Sequence, residues 1–247
     1  VLPSVWNYAT IQAQPFSGMS RMQTRKEMSL RDFMSRHVLT IVVLMVLGAA
    51  WSTCASPTPT ATSLPPGTVF SDDFSVNNGM WGLFDTLEGA AYLQQNELYL
   101  EDRGQGVGVY TQLSKHRWKD LTVTTRLRQV EGTQDNWMGA ICRQQDEENY
   151  YLLAISADGY YLILKTEAGI PQTLLGPEKS DVVNPGLATN TLQAQCVDET
   201  LTLSVNEEAL ASVEDDSFGE GYVALFADGV AGQRTTVAFD ALVISEP

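Results

Sequence analysis

The chain has 247 residues and a formal net charge of −15, with 30 acidic against 15 basic side chains. That length allows one large domain or two small ones. Such acidity repels phosphate backbones and so excludes nucleic acid as a partner; beyond that it serves solubility and selects no ligand. The charge is uneven. Ahead of Cys54, five basic residues (Arg21, Arg25, Lys26, Arg31, Arg36) face Glu27 and Asp32, a net of +3 that leaves −18 for the remainder.

The first predicted element is an apolar run over residues 38–51, introduced by Met34-Ser35-Arg36-His37. It falls short of the roughly twenty residues that span a bilayer as a permanent helix. A basic stretch followed by a short apolar core reads as an export signal over residues 34–54. Residues 1–33 lie upstream of it and are expected to have no folded role, the start being set too early; a basic region lengthened back to Met28 is the alternative. After the signal comes a linker, residues 55–67, with Pro and Thr repeated between Ser56 and Gly67. At roughly 3.1 Å per residue in extended polyproline conformation, it would hold a domain some 35–40 Å from its attachment point. The same composition suits a glycosylated stalk.

The residues around Cys54 resemble a bacterial lipoprotein lipobox, which implies a lipid on that cysteine and attachment to a membrane. Trp51 stands where an aliphatic residue is usual, and Thr53 where Gly, Ala or Ser is usual. Cleavage after Ala55 with simple secretion, and an uncleaved anchor, remain open. All three readings place the rest of the chain outside the cytoplasm.

From Thr68 onward the pattern is short strands separated by Gly, Asn and Asp. In chain order the runs are 69–74, 90–93, 97–101, 106–111, 121–130, 137–144, 150–156, 160–166, 172–175, 191–196, 201–206, 209–213, 221–226 and 235–244. Ala157-Asp158-Gly159 is a hairpin turn suited to positive φ, and Asn206-Glu207 marks another. No stretch sustains a 3.6-residue period. Residues 68–247 are therefore expected to form an all-β, two-sheet antiparallel sandwich of the jelly-roll type.

Alternation sorts these runs by face. Leu121, Val123, Thr125 and Leu127 share one side; Leu201, Leu203 and Val205 do likewise, each opposite polar residues. Trp137, Gly139, Ile141 and Arg143 oppose Met138, Ala140 and Cys142. The runs 150–156 and 160–165 are apolar or aromatic on both faces, so one sheet is covered on its outer side or lines a groove. Cys142 and Cys196 both read as core-facing, and in an exported protein such a pair is expected to be bonded. Two free buried thiols are the alternative. Cys54 is then the odd cysteine, free for lipid.

Several segments in order resemble a bacterial concanavalin A-like (laminin G/lectin–glucanase) sandwich module. They include Phe70-Ser71-Asp72-Asp73-Phe74 with Trp81, Gly139-Ala140-Ile141-Cys142-Arg143, Asn149-Tyr150-Tyr151 and Asp158-Gly159-Tyr160-Tyr161. Gly221-Tyr222-Val223-Ala224-Leu225 and Phe239-Asp240 follow. The resemblance covers 68–247 and implies two antiparallel sheets, one concave. It also implies a carbohydrate-binding, glycosidase or adhesive role.

Retaining glycosidases of that kind set two carboxylates on one strand at alternate positions, about 5 Å apart. No such pattern occurs here. Asp146-Glu147-Glu148, Glu207-Glu208 and Asp215-Asp216 fall in turns, so the reading leans to a non-catalytic module that needs no cofactor and leaves an enzyme open. The two histidines, His37 and His116, form no zinc cluster with the cysteines; the resemblance leaves open a structural calcium on Asp72, Asp73 and Asp240, and no metal is assigned. For a sugar, whose apolar faces stack on rings and whose hydroxyls pair with polar groups, the candidates are Trp137, Arg143, Tyr151, Tyr161 and Lys165. An envelope structural domain or one that docks proteins is the alternative, and a glycoside hydrolase is the third reading.

Overall fold

The computed structural model describes residues 64–114 and 116–247. Cys54, the apolar run and nearly all of the Pro/Thr segment lie outside them. In chain order the strands are β1 (Thr68–Asp72), β2 (Phe84–Asp85), β3 (Gly89–Gln94), β4 (Glu97–Asp102) and β5 (Val109–Gln112). Next come β6 (Leu121–Glu131), β7 (Trp137–Gln144), β8 (Tyr150–Ile155), β9 (Tyr160–Glu167) and β10 (Ile170–Lys179). β11 (Asn190–Val197), β12 (Thr200–Val205), β13 (Glu208–Glu214), β14 (Tyr222–Asp228) and β15 (Thr235–Ser245) complete the set. None of the described residues is helical.

All pairings are antiparallel, and they build two sheets. The nine-stranded sheet runs β13-β12-β11-β6-β15-β4-β3-β2, with β1 also on β15; the six-stranded sheet runs β10-β9-β8-β7-β14-β5. This is the expected all-β sandwich. β6, β11 and β12 alternate as read from the sequence: Leu121, Val123, Leu127, Leu192, Ala194, Leu201, Leu203 and Val205 are buried against the other sheet. Thr125 shares their face, and its buried hydroxyl donates to Ala241 O at 2.8 Å. A core threonine is thereby satisfied.

Turn chemistry follows the backbone's needs. Asn206 and Glu207 both adopt positive φ (50° and 74°) between β12 and β13, the signature of a tight hairpin. Asn206 Nδ2 also donates to Val182 O and Asn190 Oδ1, which docks the 180–190 loop beside the hairpin. Gly159, at φ 95°, closes the β8–β9 hairpin with its amide on Ser156 O.

The three aspartates weighed for calcium are committed elsewhere. Asp72 accepts from Phe74 N, Asn78 Nδ2 and Trp81 Nε1; Asp73 accepts from Ser75; Asp240 pairs with Arg126. Among the described residues no group of three His, Cys, Asp or Glu is placed to hold a metal ion.

Cys142 of β7 is bonded to Cys196 of β11, so one disulfide joins the two sheets through the core. Both cysteines are fully buried, as their faces required. The bond closes a loop with a sequence separation of 54. Restricting the unfolded chain over such a loop is worth about 4 kcal/mol. The double variant Cys142→Ala/Cys196→Ala is therefore expected to lose about that much stability in urea unfolding.

Candidate functional site

The six-stranded sheet buries both faces. Its inner face enters the main core; its outer face carries a second apolar cluster of Ile141, Leu152, Ala154, Leu162, Leu164 and Phe226, with Tyr110, Trp137 and Tyr150. Strands apolar on both sides, as in β8, arise for this reason. Six strands laid flat would put β5 and β10 about 24 Å apart, at roughly 4.8 Å per strand. Yet Tyr110 of β5 and Pro171 of β10 line one cleft, together with Tyr150, Thr166, Phe226 and Glu147. The sheet is curled, and its outer face is concave.

Cross-strand register shows which side chains share that face. Tyr110 is opposite Phe226, Gln144 opposite Tyr222, Thr166 opposite Tyr150, and Trp137 opposite Asp228. Tyr160 alternates with Leu162 and Leu164 and lies under Lys179, whose Nζ is 5.5 Å from the ring centre. Arg117 covers Tyr222 in the same way at 5.2 Å. The face therefore presents six aromatic rings: Tyr110, Trp137, Tyr150, Tyr160, Tyr222 and Phe226. Four of them are half-buried, while Tyr150 and Phe226 are buried.

Its polar groups are few. Gln144 is buried, and its Oε1 has no protein partner among the described residues. Burial pushes the Tyr110 phenol up to about 12 and raises Tyr150 as well, so both stay protonated donors. Burial, with Asp102 adding like charge, lifts the Asp228 carboxyl to about 7. The cleft itself holds about 30 Å³, room for one or two waters. A ring-sized ligand has to lie along the face rather than sink into it. Two wider solvent-open hollows, of about 510 and 540 Å³, lie off this face and are lined by carboxylate-rich loops around Asp72 and Glu214.

Of the five residues picked from sequence, Trp137 alone faces this concavity. Arg143 departs from its expected face through a β-bulge: three residue steps of β7 span two of β14 between the Ile141 and Gln144 pairs. At φ 51° it turns inward and is almost wholly buried. Its guanidinium donates to Lys119 O, Phe218 O and Asp120 Oδ1. Tyr161 points to the inner side, its hydroxyl on Glu178. Tyr151 and Lys165 converge on Asp215: Tyr151 Oη donates to Oδ1 and Lys165 Nζ to Oδ2 at 2.9 Å, while Phe218 N donates to Tyr151 Oη. These four side chains fasten the 214–219 loop and Tyr161's neighbour β10 to the sandwich. Tyr110, Gln144, Tyr150, Tyr160, Tyr222, Phe226 and Asp228 are the residues of this face that the sequence candidates left out. Their signal was register, since each is paired across strands with, or alternates with, a residue known to face outward.

Burial opposes ionisation of Asp215, but hydrogen bonds from Lys165, Tyr151 and Ser217 outweigh it and hold the carboxyl well below the usual range. A depressed folded pKa stabilises the protein above the unfolded value and ceases to do so as pH falls through the folded one. Wild type is therefore expected to lose stability steeply in acid below about pH 4, and Asp215→Asn to flatten that limb. At pH 7 the variant is expected to lose about 2 kcal/mol in denaturant unfolding, because buried Lys165 then keeps only Ser217 and the more distant, exposed Glu167 carboxylate as partners.

No family model matches the chain, and no curated protein matches its sequence. Solved structures do share the fold. Carbohydrate-binding module CBM66 from Bacillus subtilis is similar at TM-score 0.54 and 14% identity, over 68% of this chain and 96% of that one. The GlcNAcα1-4Gal-releasing endo-β-galactosidase of Clostridium perfringens is similar at 0.57 and 10%, over 76% of this chain and 65% of that one. A β-1,3-glucanase from Mycobacterium marinum is similar at 0.50 and 12%, over 74% and 100%. The chain thus has the β-sandwich of carbohydrate-binding modules and glycoside hydrolases, in keeping with the concanavalin A-like resemblance.

Proposed function

We propose that this protein is a non-catalytic carbohydrate-binding module displayed outside the cytoplasm and held to a membrane by lipid on Cys54. The observation that carries the reading is the set of six aromatic rings on one concave sheet face. Sugars offer apolar C–H faces to such rings and hydroxyls to the few polar groups among them. The fold likeness to a carbohydrate-binding module supports it. Hydrolases share that fold, so the choice between binding and cleavage rests on the carboxylates.

Asp228 lies level with Trp137, with Asp102 and Asp135 acting on it, and Glu147 of the turn after β7 lines the cleft beside Tyr110 and Tyr150. These carboxyls come from separate segments, and no two of them stand at alternate positions of one strand, the arrangement of retaining glycosidases, which favours binding without cleavage. The aliphatic middle of the face, Ile141, Leu152, Leu162 and Leu164, favours a second reading in which a protein partner docks there.

A glycan array followed by calorimetry on the full chain tests the first reading. Trp137→Ala is expected to weaken the best-bound glycan about tenfold in a protein that thermal unfolding shows still folded at the assay temperature, though less stable for the packing it loses. A folded protein that binds no glycan, yet retains an envelope protein insensitive to free sugar, would instead establish the second. The anchor has its own test: Cys54→Ala is expected to shift the protein from the detergent phase to the aqueous phase on partition.

A further inference from the structure

We infer that Asp228 is the polar anchor of the concave face and that its carboxyl restricts the face to uncharged saccharides. The inference rests on the carbohydrate reading above and deepens it. Asp228 closes β14 directly opposite Trp137, on the same side as Phe226 two residues earlier. Tyr160 belongs to the same end of the sheet, so a ring stacked on Trp137 would have a carboxyl at its edge. Backbone presses close on this corner. A Cβ at Gly108 would come within 2.6 Å of the Phe226 ring and 3.2 Å of Asp228 Cβ, so only glycine lets the start of β5 lie there.

The charges around this corner are chiefly negative. Asp102 of β4 and Asp135 of the loop before β7 both act on Asp228 as like charges, and Asp228 in turn acts on the Tyr150 phenol of β8. Asp102 is itself fully buried, and Gly229 N donates to its Oδ2. Among the described residues no ion pair reaches Asp228: Lys165 is taken by Asp215, Arg143 by Asp120, and Arg117 by Glu220. Lys179, over Tyr160, is the cation nearest this end of the face by register. A uronate or sialate seated on Trp137 would therefore meet the Asp228 carboxyl, with the charges of Asp102 and Asp135 behind it, in a partly desolvated corner where like charges repel far more than in water. A neutral ring meets instead a group that accepts from hydroxyls and, while protonated, also donates to them.

Matched pairs of neutral and uronate- or sialate-bearing glycans on one array, followed by calorimetry on the best pair, test the inference. Wild type at pH 7.5 is expected to prefer the neutral member at least tenfold, and Asp228→Asn to reduce that preference to threefold or less. Asp228→Ala, which removes the anchor, is expected to weaken the neutral glycan about tenfold. As Asp228 ionises between pH 6 and 8, the preference is expected to widen in wild type and to stay level in Asp228→Asn. Thermal unfolding of both variants controls for folding. Neutral glycans bound with no preference over their acidic partners, or with a preference unchanged by Asp228→Asn, overturn the role of Asp228 and leave the carbohydrate reading standing. A folded wild type that binds no glycan overturns both.

Discussion

The six-stranded sheet has to keep two faces out of water, and the rest of the molecule is arranged around that requirement. One face is served by the nine-stranded sheet and locked to it by Cys142–Cys196. Among the described residues the other has no second layer of strands. It is served by curvature, which brings rings and branched side chains from five strands against one another. Buried apolar area stabilises at roughly 25 cal/mol per Å², so curling a two-sided apolar sheet is favourable without any further element. The concavity that results is also the shape a flat ligand can occupy.

Polar side chains that look ready for a ligand are used for construction. Arg143 is turned inward by the bulge and ties Lys119, Asp120 and Phe218 together. Tyr151 and Lys165 meet Asp215 and secure the loop leading into β14. Buried charge is tolerated only when paired and hydrogen-bonded, and both groups meet that condition. The consequence for function is indirect. Once these residues are committed, the concave face is left with aromatic rings, Gln144, Glu147 and Asp228, the groups that would recognise a ligand on the proposed reading.

Asp228 differs from Asp215 by its surroundings alone. Asp215 gains three donors and ionises readily; Asp228 sits among rings with Asp102 nearby and holds its proton up to about pH 7. Two aspartates thirteen residues apart thus serve opposite ends, one as a structural anion and the other as a group poised for a ligand. On the proposed carbohydrate reading, the rings would give area and orientation, and the carboxyl direction and discrimination. That division is the one expected of a site with few polar groups among many apolar ones.

Much of the sandwich was legible in the chain because period-two alternation reports burial directly. β6, β11 and β12 carry one wet and one dry face, so their core residues, and the inward cysteines, could be read off. The two-sided burial of β8 and β9 was legible for the same reason. What alternation could not supply there was a choice of face. In Tyr150-Tyr151 and Tyr160-Tyr161, each doublet puts one ring out and one in, and an apolar neighbour on either side removes the polarity contrast that would tell them apart. In β7 a single extra residue reversed the expected side of Arg143. Asp228 was invisible because its character comes from Trp137, Phe226, Gly108 and Asp102, which lie on four different segments. The sequence by itself determined strand content, the paired cysteines and which strands are dry on both sides. Register and curvature, set by contacts across strands far apart in the chain, decided which rings and which carboxyl share the concave face.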